Sequence, residues 1–244
     1  MQLSLSARPE PITFDPASTA VIVIDMQNDF GSPGGMFDLA GIDISSIQRI
    51  VAPIVGVLDA ARAGGLPVIY TRQEHNADLS DAGNDNAPHR IKHRRMQVGL
   101  TVKAPDGSES RILVRDTWNT AVIDDLVPKG GDAVVSKHRY SAFFETRLDS
   151  LLRAKRIETL VFVGATTSIC VESTVRDATF RDYRCIVLRD CTAEPIALDA
   201  SRSNKDATLL TIELLFGWTA DSADLIAALT TSITNATAIQ TAAE

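Results

Sequence analysis

The sequence predicts an α/β fold, a largely parallel sheet with helices on both faces. Short runs rich in β-branched residues recur along the chain, and stretches with the three-and-four apolar spacing of amphipathic helices lie between them. Length and composition bound the answer. A chain of 244 residues, 45% hydrophobic and 23% charged, suits one large globular domain spanning 1–244 with a sizeable core.

The first strand is Ala20-Val21-Ile22-Val23-Ile24, whose unbroken apolarity suits burial on both faces of a parallel sheet; Asp25 follows it. Ile47, Ile50, Val51, Ile54 and Leu58 then mark a helix, with Asp43, Ser45 or Ser46 as its cap. Pro53 predicts a kink or a late start there. Gly64-Gly65 ends the helix, and Pro67 to Thr71 is the second strand. Residues 72–116 are polar and too long for a simple connection, and read as a functional or mobile loop. A short helix is expected from Trp118 to Leu126, then a strand at Ala133-Val134-Val135. Helix Leu148–Ala154 leads to strand Thr159–Val163, and a helix from Val171 leads to strand Ile186–Leu188. A further helix ends near Leu215-Phe216, a short apolar piece follows at Trp218, and a helix covers Asp224–Leu229. Residues 1–15 read as an N-terminal arm, and 232–244 as a frayed tail or one packed on a partner subunit.

The formal charge of −7 argues against nucleic acid as the main partner. Charge is uneven, however. His89-Arg90-Ile91-Lys92-His93-Arg94-Arg95 is almost wholly basic and reads as a solvated or intersubunit loop, or as a wall attracting a carboxylate. Three cysteines without CxxC spacing argue against a disulfide framework or a zinc knuckle, and Cys185 and Cys191 read as structural. His75, His89 and His93 show no HExxH spacing, and neither GxGxxG nor a Walker loop is present. No signal-peptide pattern or membrane-length apolar run is visible, so no membrane association and a cytoplasmic location are expected.

In open α/β sheets ligands bind beyond the carboxyl ends of the strands. Asp25, Lys137 and Cys170 each follow such an end. Cys170 also falls where a turn through Gly164–Ser168 opens a helix, and unpaired N–H groups there favour thiolate over thiol. Together the three form coherent chemistry: Asp25 takes the thiol proton, Cys170 attacks a carbonyl and Lys137 holds Asp25 ionised. Singly, each has a plain alternative, namely a capping carboxylate, a salt bridge and a small buried hydrophobe. His138 is an alternative base.

Three blocks in this order resemble the isochorismatase-like cysteine hydrolases: Val21 to Phe30 (VIVIDMQNDF), Lys137 to Phe143 (KHRYSAF) and Gly164 to Thr174 (GATTSICVEST). The likeness runs from about Ala7 to Ala228. It implies a three-layer α/β/α fold with a mainly parallel six-stranded sheet. It also implies Asp25, Lys137 and Cys170 as a catalytic triad, a cis peptide at Ala165–Thr166, and backbone N–H groups of Thr166 and Cys170 as an oxyanion hole. A homo-oligomer, dimer or tetramer, is a further implication.

Within that family, Ala7 to Pro16, Pro33-Gly34-Gly35, Asp38 to Gly41 and Arg139-Tyr140-Ser141 with Phe143-Phe144 are similar to ureidoacrylate amidohydrolases. Thr71 to His75 and Asp78 to Asp81 look more like biuret hydrolases. Metal-binding nicotinamidases are less similar, their Asp/His cluster having no evident counterpart, and Cys170 excludes isochorismatases proper. The resemblance therefore implies hydrolysis of a small ureido or N-carbamoyl compound, with no cofactor and no metal. Biuret or another small amide is the alternative substrate. A non-catalytic binding or scaffolding member is the alternative of another class, and a nucleotide- or flavin-binding protein a third. Phe30, Trp118, Tyr140 and Phe144 are candidate cavity walls. Gln73 and Glu74 are candidate amide partners, and Arg72 or Arg139 candidate carboxylate partners.

Overall fold

The computed structural model describes the backbone of residues 2–242 and the side chains of residues 2–234. Strands β1 (Leu3–Leu5) and β2 (Ile12–Phe14) pair antiparallel ahead of the main sheet. The expected arm is thus a hairpin, with Leu5 and Phe14 fully buried against the core. β3 (Thr19–Ile24) follows, then two short helices, α1 (Asn28–Gly31) and α2 (Met36–Leu39). α3 (Ser45–Ala63) begins where Asp43 Oδ1 accepts from Ser45 N at 2.9 Å, and it runs through Pro53 without ending.

Next come β4 (Val68–Gln73), α4 (Pro88–Arg95), the antiparallel pair β5 (Thr101–Lys103) and β6 (Glu109–Arg111), and β7 (Ala133–Lys137). The remaining elements are α5 (Leu148–Ala154), β8 (Thr159–Ala165), α6 (Glu172–Thr179), β9 (Arg184–Ala193), α7 (Asn204–Thr211), β10 (Trp218–Ala220) and α8 (Ser222–Ala242).

The sheet has six strands in the order β10-β9-β8-β3-β4-β7, all pairs parallel. The period-2 alternation of side chains splits each central strand between two cores. Val21, Val23, Val161 and Val163 face α3 and α8, meeting Ile47, Ile54, Leu58, Leu225 and Leu229. Ala20, Ile22, Ile24, Leu160 and Phe162 face the other way, onto Leu148 and Leu152 of α5 and Val175 and Ala178 of α6. Burying each such aliphatic side chain stabilises by about 1.5–3 kcal/mol, so these two interfaces hold the three layers together. The expected α/β/α architecture and six-stranded parallel sheet are observed.

Four expectations are corrected. Residues 72–116 are not an open loop: His75 N donates to Leu113 O at 2.8 Å, Arg115 N to His75 O at 2.9 Å, and α4 and the β5–β6 hairpin lie between. The segment Trp118–Leu126 is not one helix but two 3₁₀ turns, Trp118–Thr120 and Asp124–Leu126. Its backbone pairs with the loop after β3 instead, Asn28 N donating to Ala121 O and Ile123 N to Met26 O, both at 3.0 Å. The tail is helical rather than frayed as far as Ala242; the last two residues of that expectation lie outside those described. Cys170 lies in a π-helical turn, Thr167–Val171, with α6 beginning two residues later. No helix among the described residues is long and apolar enough to cross a membrane.

Candidate active site

The strand order reverses between β3 and β8, the place where open α/β sheets form a crevice beyond the strand ends. Asp25 follows β3, Cys170 follows β8, and Lys137 ends β7, two strands away. Two backbone features make the close approach possible. Gly164 has φ +115°, and a Cβ there would sit 2.1 Å from Ile24 O, so only glycine fits against β3. Asp25 itself has φ 49°, which turns the chain sharply off the end of β3. The Ala165–Thr166 peptide is cis, as the resemblance implies.

Lys137 and Asp25 are almost completely buried, and Nζ lies 2.7 Å from Oδ2. This ion pair is off the angles of a regular hydrogen bond, so Oδ2 keeps capacity to accept another proton. Asp25 Oδ1 accepts from Thr71 Oγ1 at 2.7 Å. Lys137 Nζ also donates to Gln73 Oε1 at 2.8 Å, to Arg139 O at 3.1 Å and towards Cys170 Sγ at 3.5 Å. Burial opposes the ammonium, but Asp25 and Cys170 outweigh it and push Lys137 above its ordinary value. The cation thus bridges carboxylate and sulfur in a site without water's screening.

The expected low thiol pKa is overturned. Burial pushes Cys170 up to about 12; Lys137 acts to lower it, while the Asp25 charge and hydrogen bond act to raise it. The resting group is therefore a thiol, and its proton leaves as a base takes it. Around the sulfur the π turn is pinned: Glu194 Oε2 accepts from Ser168 N at 2.7 Å, and Thr174 Oγ1 donates to Cys170 O at 2.6 Å.

Cys170 and Thr166 open on a cavity of about 180 Å³. Its walls are mainly apolar, with Phe30, Phe37, Met96, Leu113 and Ile196 among them, and Gln73, Lys92, His93 and Tyr140 supply polar atoms. A second, open groove of about 530 Å³ shares Lys92 and Tyr140 with the cavity and adds His89, Arg139, Phe144 and Arg176. Burial raises the Tyr140 phenol, and the nearby Cys170 adds to that, so it stays a neutral donor.

The structure brings together Asp25, Lys137, Cys170, Thr166, Gln73, Phe30 and Tyr140 of the residues singled out from sequence. It does not bring the others. Arg72 and Glu74 flank Gln73 on β4 and beyond, so alternation turns them from Gln73's face: Arg72 Nε lies 3.4 Å from Glu74 Oε2, and Arg115 Nε and Ser136 Oγ donate to Glu74 Oε1 at 3.1 and 2.5 Å. Arg139 Nη1 donates to the carbonyls of Asp81 and His138 at 2.8 and 2.7 Å, tying the loop down at the groove. Phe144 is 43% exposed in that outer groove, and Trp118 lies outside the cavity lining. His138 pairs with exposed Glu145 at 3.1 Å and is not placed as a base.

The basic run 89–95, read from sequence as a loop or as a wall attracting a carboxylate, is a wall, but a helical one, α4. Lys92, His93 and Met96 reach the cavity from it. The same helix brings His89 and His93 beside His75, three ring nitrogens lying within 4.8 Å of one another. Burial and neighbouring positive groups lower His89 to about 4 and His93 to about 2. The four-residue spacing of His89 and His93, which places them on one helical face, was the signal available for this cluster.

The chain is similar to known proteins over most of its length. The isochorismatase domain model matches residues 19–224. The chain is 43% identical over 220 residues to a ureidoacrylate amidohydrolase RutB of Caulobacter segnis, covering 90% of this chain and 89% of that one. It is 42% identical over 218 residues to the RutB of Agrobacterium fabrum, covering 89% and 92%. Among solved structures, a cysteine hydrolase from Pseudomonas syringae pv. phaseolicola superposes with TM-score 0.75 at 32% identity, covering 89% of this chain and 95% of that one. An N-carbamoylsarcosine amidase from Thermoplasma acidophilum gives 0.61 at 27%, covering 84% and 96%. With most of its length matched by the domain model and by relatives above two-fifths identity, the chain belongs to the isochorismatase family.

Proposed function

We propose that the protein is a cysteine amidohydrolase of non-peptide C–N bonds that acts on a small ureido or N-carbamoyl compound of the ureidoacrylate type. The observation that carries this reading is the buried Asp25–Lys137–Cys170 constellation at the base of a small, mostly apolar cavity. Relatives named ureidoacrylate amidohydrolase support the substrate class.

Cys170 Sγ attacks the ureido carbonyl while its proton passes to Asp25 Oδ2. Burial favours the thiol over the thiolate, so Asp25 is needed as the base that takes its proton. Lys137 Nζ stays charged and stabilises the sulfur and carboxylate as charge moves between them. The N–H groups of Thr166 and Cys170 take the oxyanion; losing one such donor raises barriers by about 3–4 kcal/mol. Asp25 returns the proton to the departing nitrogen, the C–N bond breaks, and a carbamoyl thioester remains on sulfur. Asp25 then takes a proton from a water that attacks the thioester. The thiol is restored and carbamate leaves, to decay to ammonia and carbon dioxide. No cofactor enters these steps.

The substrate's carboxylate would meet Lys92, at the boundary of cavity and basic groove, rather than Arg72 or Arg139. The test is ammonia release by wild type and Cys170→Ala from ureidoacrylate or a stable ureido acid, biuret, N-carbamoyl amino acids and nicotinamide. Turnover of a ureido acid, lost in Cys170→Ala, is expected, with a carbamoyl adduct on Cys170 visible by mass spectrometry. Turnover that survives the substitution would remove Cys170 as nucleophile. Preference for biuret would move the assignment to the alternative substrate, and silence across the panel would return the binding-protein reading.

A further inference from the structure

We propose that His75, His89 and His93 form a site for one divalent transition-metal ion of the zinc type, open on the cavity that holds Cys170. This departs from the expectation of no metal, and it stands independently of which amide the protein cleaves.

The three rings come from two places that the fold brings together. His75 follows the end of β4, and His89 and His93 are one helical turn apart on α4. One ring nitrogen of each lies within 4.8 Å of the others, and His75 Nε2 is 3.2 Å from His93 Nδ1. Two imidazole nitrogens bound at about 2.0–2.1 Å to a tetrahedral ion stand about 3.3 Å apart, so this pair is already at ligand spacing. All three donors are borderline nitrogen, which selects zinc, cobalt, nickel or copper over calcium and magnesium.

The orientation of His75 is the second observation. Its Nδ1 lies 3.0 Å from Asp81 Oδ1, and Asp81 Oδ2 accepts from Asn76 N at 3.1 Å. That contact places the proton on Nδ1 and turns the Nε2 lone pair into the cluster, as a carboxylate does behind a metal-bound histidine. Third, His89 has both ring nitrogens buried with no hydrogen-bond partner. Packing alone does not account for a half-buried imidazole held 3.8 Å, centroid to centroid, from a second imidazole with nothing to bond to. An ion at the shared point would satisfy one nitrogen of each ring.

His93 lines the cavity, so the position opposite the three ligands faces the substrate space. Three neutral ligands leave the ion its full charge. An anionic or oxygen-donor group of a ligand in the cavity is therefore the natural fourth partner.

The experiment uses the full chain, stripped with chelator, in a Cys170→Ser background so that the thiol cannot serve as ligand. Cobalt(II) titration is expected to give a visible d–d band saturating at one equivalent and displaced by zinc. His89→Ala and His93→Ala should each abolish the band, and Asp81→Asn should weaken binding by about 10–100-fold. Circular dichroism of each variant checks that it folds. Absence of the band in the Cys170→Ser protein, whose histidines are intact, overturns the proposal without reference to any histidine variant. So does a band that persists in both folded histidine variants, or one seen with Cys170 present and lost in Cys170→Ser.

Discussion

Lys137 shows how much one side chain's surroundings decide. An ammonium with no exposure persists only because Asp25, Gln73 and a backbone carbonyl surround it. Lys137→Met is expected to destabilise the fold by about 3–5 kcal/mol, read by urea unfolding, because it leaves Asp25 buried and unpaired. Asp25→Asn combined with Lys137→Met should recover part of that loss, and strict additivity of the two would argue against the pair. For Cys170, alkylation by iodoacetamide should still be climbing with pH beyond the ordinary thiol range, whereas a rate already flat at neutral pH would contradict the buried thiol. The native value of about 12 lies above the ordinary 9.0, so the folded state holds this proton longer. The thiol's contribution to stability is therefore complete below 9.0 and is lost as pH rises towards about 12. Both follow from burial, which no local sequence pattern around Cys170 displays.

The connections matter more than their irregularity suggests. Asp29, on α1, accepts from Met36 N at 2.9 Å, Leu113 N at 2.7 Å and Asn119 Nδ2 at 2.5 Å. One carboxylate thereby ties α2, the segment after β6 and a 3₁₀ turn into one wall of the cavity. Burial pushes it up to about 6, against those three hydrogen bonds. Asp29→Asn cannot accept from all three donors, and a loss of about 1–3 kcal/mol per orphaned N–H is expected in thermal or urea unfolding. At the β3–β8 contact, Gly164→Ala would place a Cβ at 2.1 Å from Ile24 O at a φ of +115°. A poorly folding variant is the expected outcome, and an unchanged unfolding midpoint would show that β3 can move aside. The central strands and α3 were legible in the sequence because their periodicity is set by burial on one or two faces, whereas α8 was read only over Asp224–Leu229. The turns around Asp29 were not, since their hydrogen bonds join residues 84 and 90 positions apart.

Across the whole molecule, a chain of formal charge −7 presents a groove carrying Lys92, Arg139 and Arg176 beside its cavity. A local positive mouth on an acidic protein favours capture of anions, and salt screens it over about 8–10 Å. Lys92→Ala should accordingly raise KM for a ureido acid several-fold with little change in kcat, and leave an uncharged ureide unaffected. Equal effects on both substrates would remove Lys92 from carboxylate recognition. The chain's own residues were enough to establish the strand–helix alternation and the three reactive side chains after strand ends, because each rests on local periodicity or on a short motif, and the resemblance added the six-stranded sheet. Folding was needed to select among the remaining candidates. Alternation along β4 separated Gln73 from Arg72 and Glu74, and the docking of α4 put Lys92 and His93, not Arg139, on the cavity wall. Proximity between residues far apart in the chain has no local signature, and the charge state of Cys170 depends on everything packed around it.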